Sequence, residues 1–139
     1  MSVEETERVM RSYVEALDHR GDFSSFFAED VLWTTMETGD QVRGREAVRD
    51  YILSLHHQYF DGSPELRGLV VADGSAAVEA LFVAKHIAEF AGIPATGKEV
   101  RTPYAMFYSV DDGMITELRS YFPFQALIQQ LTGAVAARA

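Results

Sequence analysis

Cysteine is absent from this 139-residue chain. Structural disulfides, thiolate metal sites and cysteine nucleophiles are excluded together. Basic residues are scarce: twelve Lys and Arg stand against twenty-one Asp and Glu, a formal net charge of −9. A protein that tracks a phosphate backbone needs a basic stripe, so no nucleic-acid partner is expected. No apolar run approaches the roughly 18 residues of a membrane span, and no membrane partner is expected. The first residues, MSVEETERVMRS, carry charges where a secretory signal needs its apolar segment, so the expected location is cytoplasmic. No G-x-S-x-G elbow occurs, and GRE at 44–46 and GIPATGK at 92–98 lack the strand–loop–helix setting of a phosphate loop.

What is present is an ordinary globular composition, 47% hydrophobic and 24% charged, with length enough for one core. A single domain over residues 1–133 is expected, with residues 134–139 as a flexible C-terminal tail.

Val3, Met10, Tyr13, Val14 and Leu17 recur near helical spacing and predict a first helix, with Gly21 as its C-terminal cap. Asp22 can cap a short second helix holding Phe23, Phe26 and Phe27. The β-branched and aromatic stretch Val31 to Met36 predicts a strand. After Gly44, the residues Val48, Tyr51, Ile52, Leu55 and Tyr59 predict a helix that stops before Asp61-Gly62-Ser63-Pro64, read as a break. Strands are predicted over Leu66–Ala72, Ala77–Phe90, Val100–Val110 and Met114–Phe122. Asp73-Gly74 and Asp112-Gly113 are hairpin turns, and a last helix spans Phe124–Leu131. Helices followed by a run of antiparallel strands define an α+β domain. A curved sheet around a long helix would leave a cone whose mouth suits an apolar small molecule.

Two stretches resemble a known family: FFAEDVLWTTMETGDQVRGREAVRDYI at 26–52, and HIAEFAGIPATGKEVRTPY at 86–104 followed by DDGMITEL at 111–118. They are similar to the SnoaL-like polyketide (ester) cyclase branch of the NTF2-like superfamily, over nearly the whole chain. The resemblance implies the α+β cone, an internal pocket and a homodimer through the outer sheet face. It implies no cofactor. By the resemblance, the family's Trp on the last strand falls on Arg119, and the acidic positions that such enzymes use fall on Ser120 and Pro123, on Thr35 and on Met106, none of which is an acid, while His86 is retained.

Candidate chemistry therefore rests on other residues. His86 is a general acid or base, or else a structural imidazole bonded to the adjacent loop. Glu79 sits in the apolar strand AAVEALFVA; facing inward it would be a desolvated base, facing outward a surface group or a partner of Arg119. Arg119 and Tyr121 alternate and share one face, where they would hold a carbonyl or enolate oxygen in a pocket; the alternative is an Arg–Glu pair in a dimer interface. These four are the expected catalytic residues. Trp33, Thr35, Tyr104, Tyr13 and His56 are the expected substrate contacts, with plain core packing as the alternative for Trp33, Tyr104 and Tyr13. Neighbours on a helix point about 100° apart, so His56 and His57 do not chelate one metal, and no metal site is expected. Two functions fit. One is a cofactor-free acid–base enzyme (cyclisation, isomerisation, hydration or hydrolysis) acting on a small hydrophobic or polycyclic molecule. The other is a non-catalytic ligand-binding or dimerising module.

Overall fold

The first helix, α1 (Val3–Asp18), starts where Ser2 offers its hydroxyl to the Glu5 N–H at 3.1 Å, with Glu4 and Glu5 in the first turn favoured by the helix dipole. Its buried face carries Thr6, Met10 and Tyr13, while Val3 is exposed. The chain leaves the helix through Arg20, which takes the left-handed conformation at φ 57° one residue before the expected cap; Gly21 instead closes its N–H on the Ala16 carbonyl at 2.7 Å.

In this computed structural model, which describes residues 2–133, a 3₁₀ turn (Phe23–Phe26) leads into β1 (Phe27–Thr35) and β2 (Gln41–Arg43). Next comes α2 (Arg45–Leu53), extended by a π-helical turn (Ser54–Gln58). The strands β3 (Phe60–Ala72), β4 (Ser75–His86), β5 (Glu99–Asp111) and β6 (Met114–Tyr121) follow, and α3 (Phe124–Thr132) is last. The tail expected at 134–139 lies outside the described residues. The six strands form one sheet in the order β2-β1-β6-β5-β4-β3. The sheet is curved and the chain is α+β, as expected. It is not wholly antiparallel, because β1 pairs with β6 in parallel.

The segment Asp61-Gly62-Ser63-Pro64 corrects the reading of a break. Strand β3 runs straight through it, pairing Phe60 with His86 and Pro64 with Phe82. Pro64 is tolerated because β3 is the edge of the sheet, where a missing N–H costs no ladder bond. Gly62 is needed for a different reason: a Cβ there would run into the Val83 carbonyl and Ala84 on β4. Gly62→Ala is expected to destabilise the fold by roughly 1–3 kcal/mol, the usual cost of overpacking. Gly68→Ala on the same strand, whose Cβ would meet only Glu79 Oε1 at 4.0 Å, serves as the control. Urea unfolding of both variants measures the difference, and equal midpoints would contradict the close approach.

Asp112 and Gly113 both have positive φ, 52° and 77°, which makes the β5–β6 connection a type I′ turn matched to the strand twist. The β3–β4 turn is pinned to α1. The buried Thr6 hydroxyl accepts the Gly74 N–H at 3.0 Å and donates to the Ser2 carbonyl at 2.9 Å. At the other end, α3 docks by a two-bond clasp in which the Gln130 amide accepts from Arg101 N (2.9 Å) and donates to Arg101 O (3.1 Å). Lys98 Nζ donates to the Leu131 carbonyl at 3.1 Å, satisfying one of the free carbonyls at the helix end.

Two apolar clusters fill the inner side. One joins α1, β1, α2 and the inner residues of β4, β5 and β6. The other gathers Phe60, Phe82, Ala84 and Val100 with Leu127 and Leu131 of α3. Tyr104 packs against both and marks the seam between them.

Candidate functional site

A cavity opens at that seam, with a free volume of about 50 Å³. Period-2 alternation brings Tyr104, Met106 and Tyr108 of β5 to its wall, with Trp33 of β1, Phe82 of β4 and Ser120 of β6. Tyr13 and Leu17 come from α1, and Phe122, Phe124 and Leu127 close the α3 side. His56 arrives by the π-helical turn. The Tyr59 N–H reaches back to the Ser54 carbonyl at 2.9 Å, one residue further than in an α-helix, and the widened turn presents the imidazole to the cavity over the Phe82 ring, centroids 5.7 Å apart.

The electrostatics follow from burial. Desolvation raises the phenols of Tyr13, Tyr104 and Tyr108, so all three are neutral O–H groups through the physiological range. Tyr13 and Tyr108 are hydrogen-bonded. Either hydroxyl can give or accept that bond, so one of the two protons is left for another acceptor. His56 is pushed down to about 4, first by burial and then by the nearby His57 and Arg20. At neutral pH it is uncharged, with one ring nitrogen donating and the other accepting. No carboxylate lines the cavity. Met106 and Ser120, which stand where the resemblance places two acids, are both on its wall. Among the described residues no group of three His, Asp or Glu side chains gathers to hold a metal ion.

The four residues expected to do chemistry are not brought together, and their placement is corrected. Glu79 is exposed on the outer face, its carboxylate 4.0 Å from where a Gly68 Cβ would stand. Its neighbours Val78 and Ala80 take the inner side and are buried. Arg119 and Tyr121 do share a face, but it is the outer one, because Leu118 and Ser120 turn inward. Arg119 donates to Glu117 at 3.0 Å and to the Ser109 hydroxyl at 3.4 Å, not to Glu79. Tyr121 packs edge-on against Phe107 at 5.5 Å.

His86 points inward and is fully buried, yet it does not line the cavity. Its Nδ1 accepts the Thr96 N–H at 3.1 Å and lies 3.0 Å from the Thr96 hydroxyl. With Nδ1 accepting, the proton sits on Nε2, which is buried without a partner. The ring stacks beside Phe60 at 5.2 Å. This imidazole holds the loop 87–98 against the sheet, the structural alternative weighed for it.

Of the expected substrate contacts, Tyr13, Trp33, Tyr104 and His56 lie on the cavity wall. Thr35 does not: its hydroxyl accepts the Trp33 indole N–H at 3.0 Å and fixes that ring against Tyr51. Tyr108, on the same strand face as Tyr104, lines the cavity too, as do Phe60, Phe82 and Phe122, and none of these four was among the expected contacts. The parity of Tyr104 with Met106 and Tyr108 was the available signal.

A curved sheet closed by α1, α2 and α3 around a phenol-lined cavity defines an NTF2-like cone protein. The comparisons narrow this further. The SnoaL-like polyketide cyclase profile matches residues 7–131, and the chain belongs to that family. A solved protein from Xanthomonas campestris assigned as a polyketide cyclase is 23% identical, with 93% of this chain and 98% of that one covered at a TM-score of 0.79. One from Jannaschia sp. CCS1, assigned as a SnoaL-like polyketide cyclase, is 14% identical over 95% and 94% of the two chains, TM-score 0.82. A third, from Kribbella flavida and assigned as a ketosteroid isomerase, is 23% identical over 87% and 79%, TM-score 0.68. At such identities the likeness is one of fold. No curated protein matches the chain. No helix among the described residues is long and apolar enough to cross a membrane.

Proposed function

We propose that the cone binds a small, flat, hydrophobic molecule bearing a carbonyl or hydroxyl oxygen, and that it catalyses a cofactor-free proton transfer on it. One observation carries this reading: neutral phenols and a neutral imidazole converge on a cavity that is carboxylate-free and, Ser120 aside, otherwise apolar. The Tyr13 O–H, with the Tyr108 hydroxyl as its hydrogen-bonded neighbour, donates to the ligand oxygen and strengthens that bond as negative charge develops there. His56 takes the place of the missing acids as the proton acceptor, removing a proton next to the polarised carbonyl. Trp33 and Phe82 supply the flat walls. A pKa of about 4 makes His56 a weak base that is fully unprotonated at neutral pH.

Deuterium exchange next to the carbonyl of 2-tetralone, followed by proton NMR in D₂O, tests the chemistry. The wild-type protein is expected to accelerate exchange. His56→Gln is expected to abolish the acceleration, and Tyr13→Phe to reduce it about 10- to 100-fold, the usual range for losing one such donor or acid–base group. The absence of a carboxylate favours a second reading, a non-catalytic ligand-binding module. Binding of the ketone with no exchange would select it. The proposed partner is a second copy of the chain, docked through the outer sheet face where Phe107, Tyr121 and Val70 are exposed. Light scattering of the wild type and of Phe107→Glu tests this: the wild type is expected to be dimeric and the variant monomeric.

A further inference from the structure

The inner cavity is too small for the molecules its walls suit. Its 50 Å³ holds a headgroup, whereas sites for drug-sized ligands run to about 300–1,000 Å³. A second cavity of about 390 Å³ lies beside it, between α1 and the edge of the sheet. The two share Tyr13, Leu17, Tyr104 and Tyr108, so one wall of side chains separates them. The larger space is floored by Leu69, Val78 and Ala80 and flanked by Val14, Pro64 and Leu66. Leu66 is 40% exposed although its partner across the ladder, Ala80, is buried, because α1 leaves this stretch of β3 uncovered.

The outer rim carries Arg11, Glu15, Asp18, His19 and Glu65. Its charges are partly spent. Arg11 is bound to Glu7 at 2.9 Å, and Glu65 to Arg67 at 2.8 Å with Arg101 at 3.9 Å, which leaves Glu15 and Asp18 as the unspent acids lining the mouth.

Resting on the function proposed above, we infer that this groove is the site for the body of the ligand, with the shared tyrosines touching its inner end. The ligand is then an elongated, largely apolar molecule. A hydrogen-bond-accepting oxygen sits at the inner end, against Tyr13, and an uncharged or cationic group sits at the outer end, near Glu15 and Asp18. A molecule ending in a carboxylate or phosphate at the mouth is selected against. Substrate length is read by the α1–β3 groove, and only the reacting ring reaches the cone.

Because the chain has no cysteine of its own, single-cysteine variants test this without background. Nile red is the probe: flat, uncharged, with a carbonyl oxygen at one end and a dialkylamino group at the other. Saturating dye is expected to slow N-ethylmaleimide alkylation of Leu66→Cys at least tenfold. Val70→Cys, on the outer face, should be unaffected, and Tyr13→Phe should weaken dye binding about five- to tenfold in fluorescence titration. If Tyr13→Phe weakens binding while Leu66→Cys stays unprotected, the groove is overturned and the cavity reading stands. Protection of Leu66→Cys with no effect of Tyr13→Phe overturns the contact of the inner end with Tyr13 and with it the cavity reading, and a wild-type protein that binds no dye overturns both. Protection of Val70→Cys alone would put the dye on the outer sheet face and overturn the groove.

Discussion

Truncating Phe60 to alanine is expected to lower the unfolding free energy by about 3–5 kcal/mol, the range for removing a fully buried aromatic ring from a packed core. Phe60 is wholly buried at the first residue of β3, and its ring meets Phe82 at 5.5 Å and both His86 and Phe90 at 5.2 Å. The loss is not confined to one contact. His86 stacks on Phe60 while it holds Thr96, so a void at Phe60 also loosens the imidazole that fixes the loop 87–98. Total stabilities of domains this size are about 5–15 kcal/mol, so the variant should be close to unfolding at 37 °C. Urea unfolding measures the loss. Phe60→Leu, which keeps most of the volume, should cost under about 1.5 kcal/mol and keeps the comparison available if alanine does not fold. Equal losses for the two variants would mean that retained volume restores nothing, and would contradict the void as the cause.

Acidification through the range from pH 6.5 to about 4 is expected to destabilise the fold by roughly 3 kcal/mol through His56 alone. The imidazole ionises near 6.5 in the unfolded chain and near 4 in the folded one. Below 6.5 the unfolded chain takes up a proton that the native state refuses, so stability falls with pH until both states are protonated. Burial of His57 pushes its imidazole down as well and adds to the same trend. In His56→Gln that part of the slope should vanish, so the variant would lose less stability than the wild type between neutral pH and pH 4. Denaturant titrations at a series of pH values read this directly. Parallel curves for the two proteins would show that the imidazole titrates as freely in the fold as in the unfolded chain.

The fold was legible wherever a single period dominated. The apolar spacing of Met10, Tyr13 and Leu17 marks α1, and Asp112-Gly113 marks its hairpin through turn chemistry that few other residues allow. Pro64 misled because a proline ends a central strand but not an edge strand, and which strand is the edge depends on tertiary pairing. For the site, alternation told which residues share a face and not which face is inner. Arg119 with Tyr121, and Tyr104 with Tyr108, have the same spacing and opposite fates. In AAVEALFVA both parities are apolar apart from Glu79, so the strand itself hides its inside. The one charged member of its set was nonetheless the better guide, since an unpaired carboxylate goes to water unless a partner waits for it. His56 was legible only as one of two neighbours, because a π-helical turn shifts the angular register that an α-helical count assumes.

The parallel pairing of β1 with β6 has a consequence during biosynthesis. Trp33 and Thr35 find their ladder partners at Leu118 and Ser120, so β1 leaves the ribosome long before the strand that must lie beside it. Until then one side of β1 has only the three-residue β2 for company. The hairpins β3–β4 and β4–β5 can form as they emerge, but the sheet cannot close until β6 is out. Non-local pairing of this kind slows folding and exposes strand edges to other chains. A nascent chain halted before residue 114 should therefore remain sensitive to protease around β1, and release of the last strand should protect it in a single step.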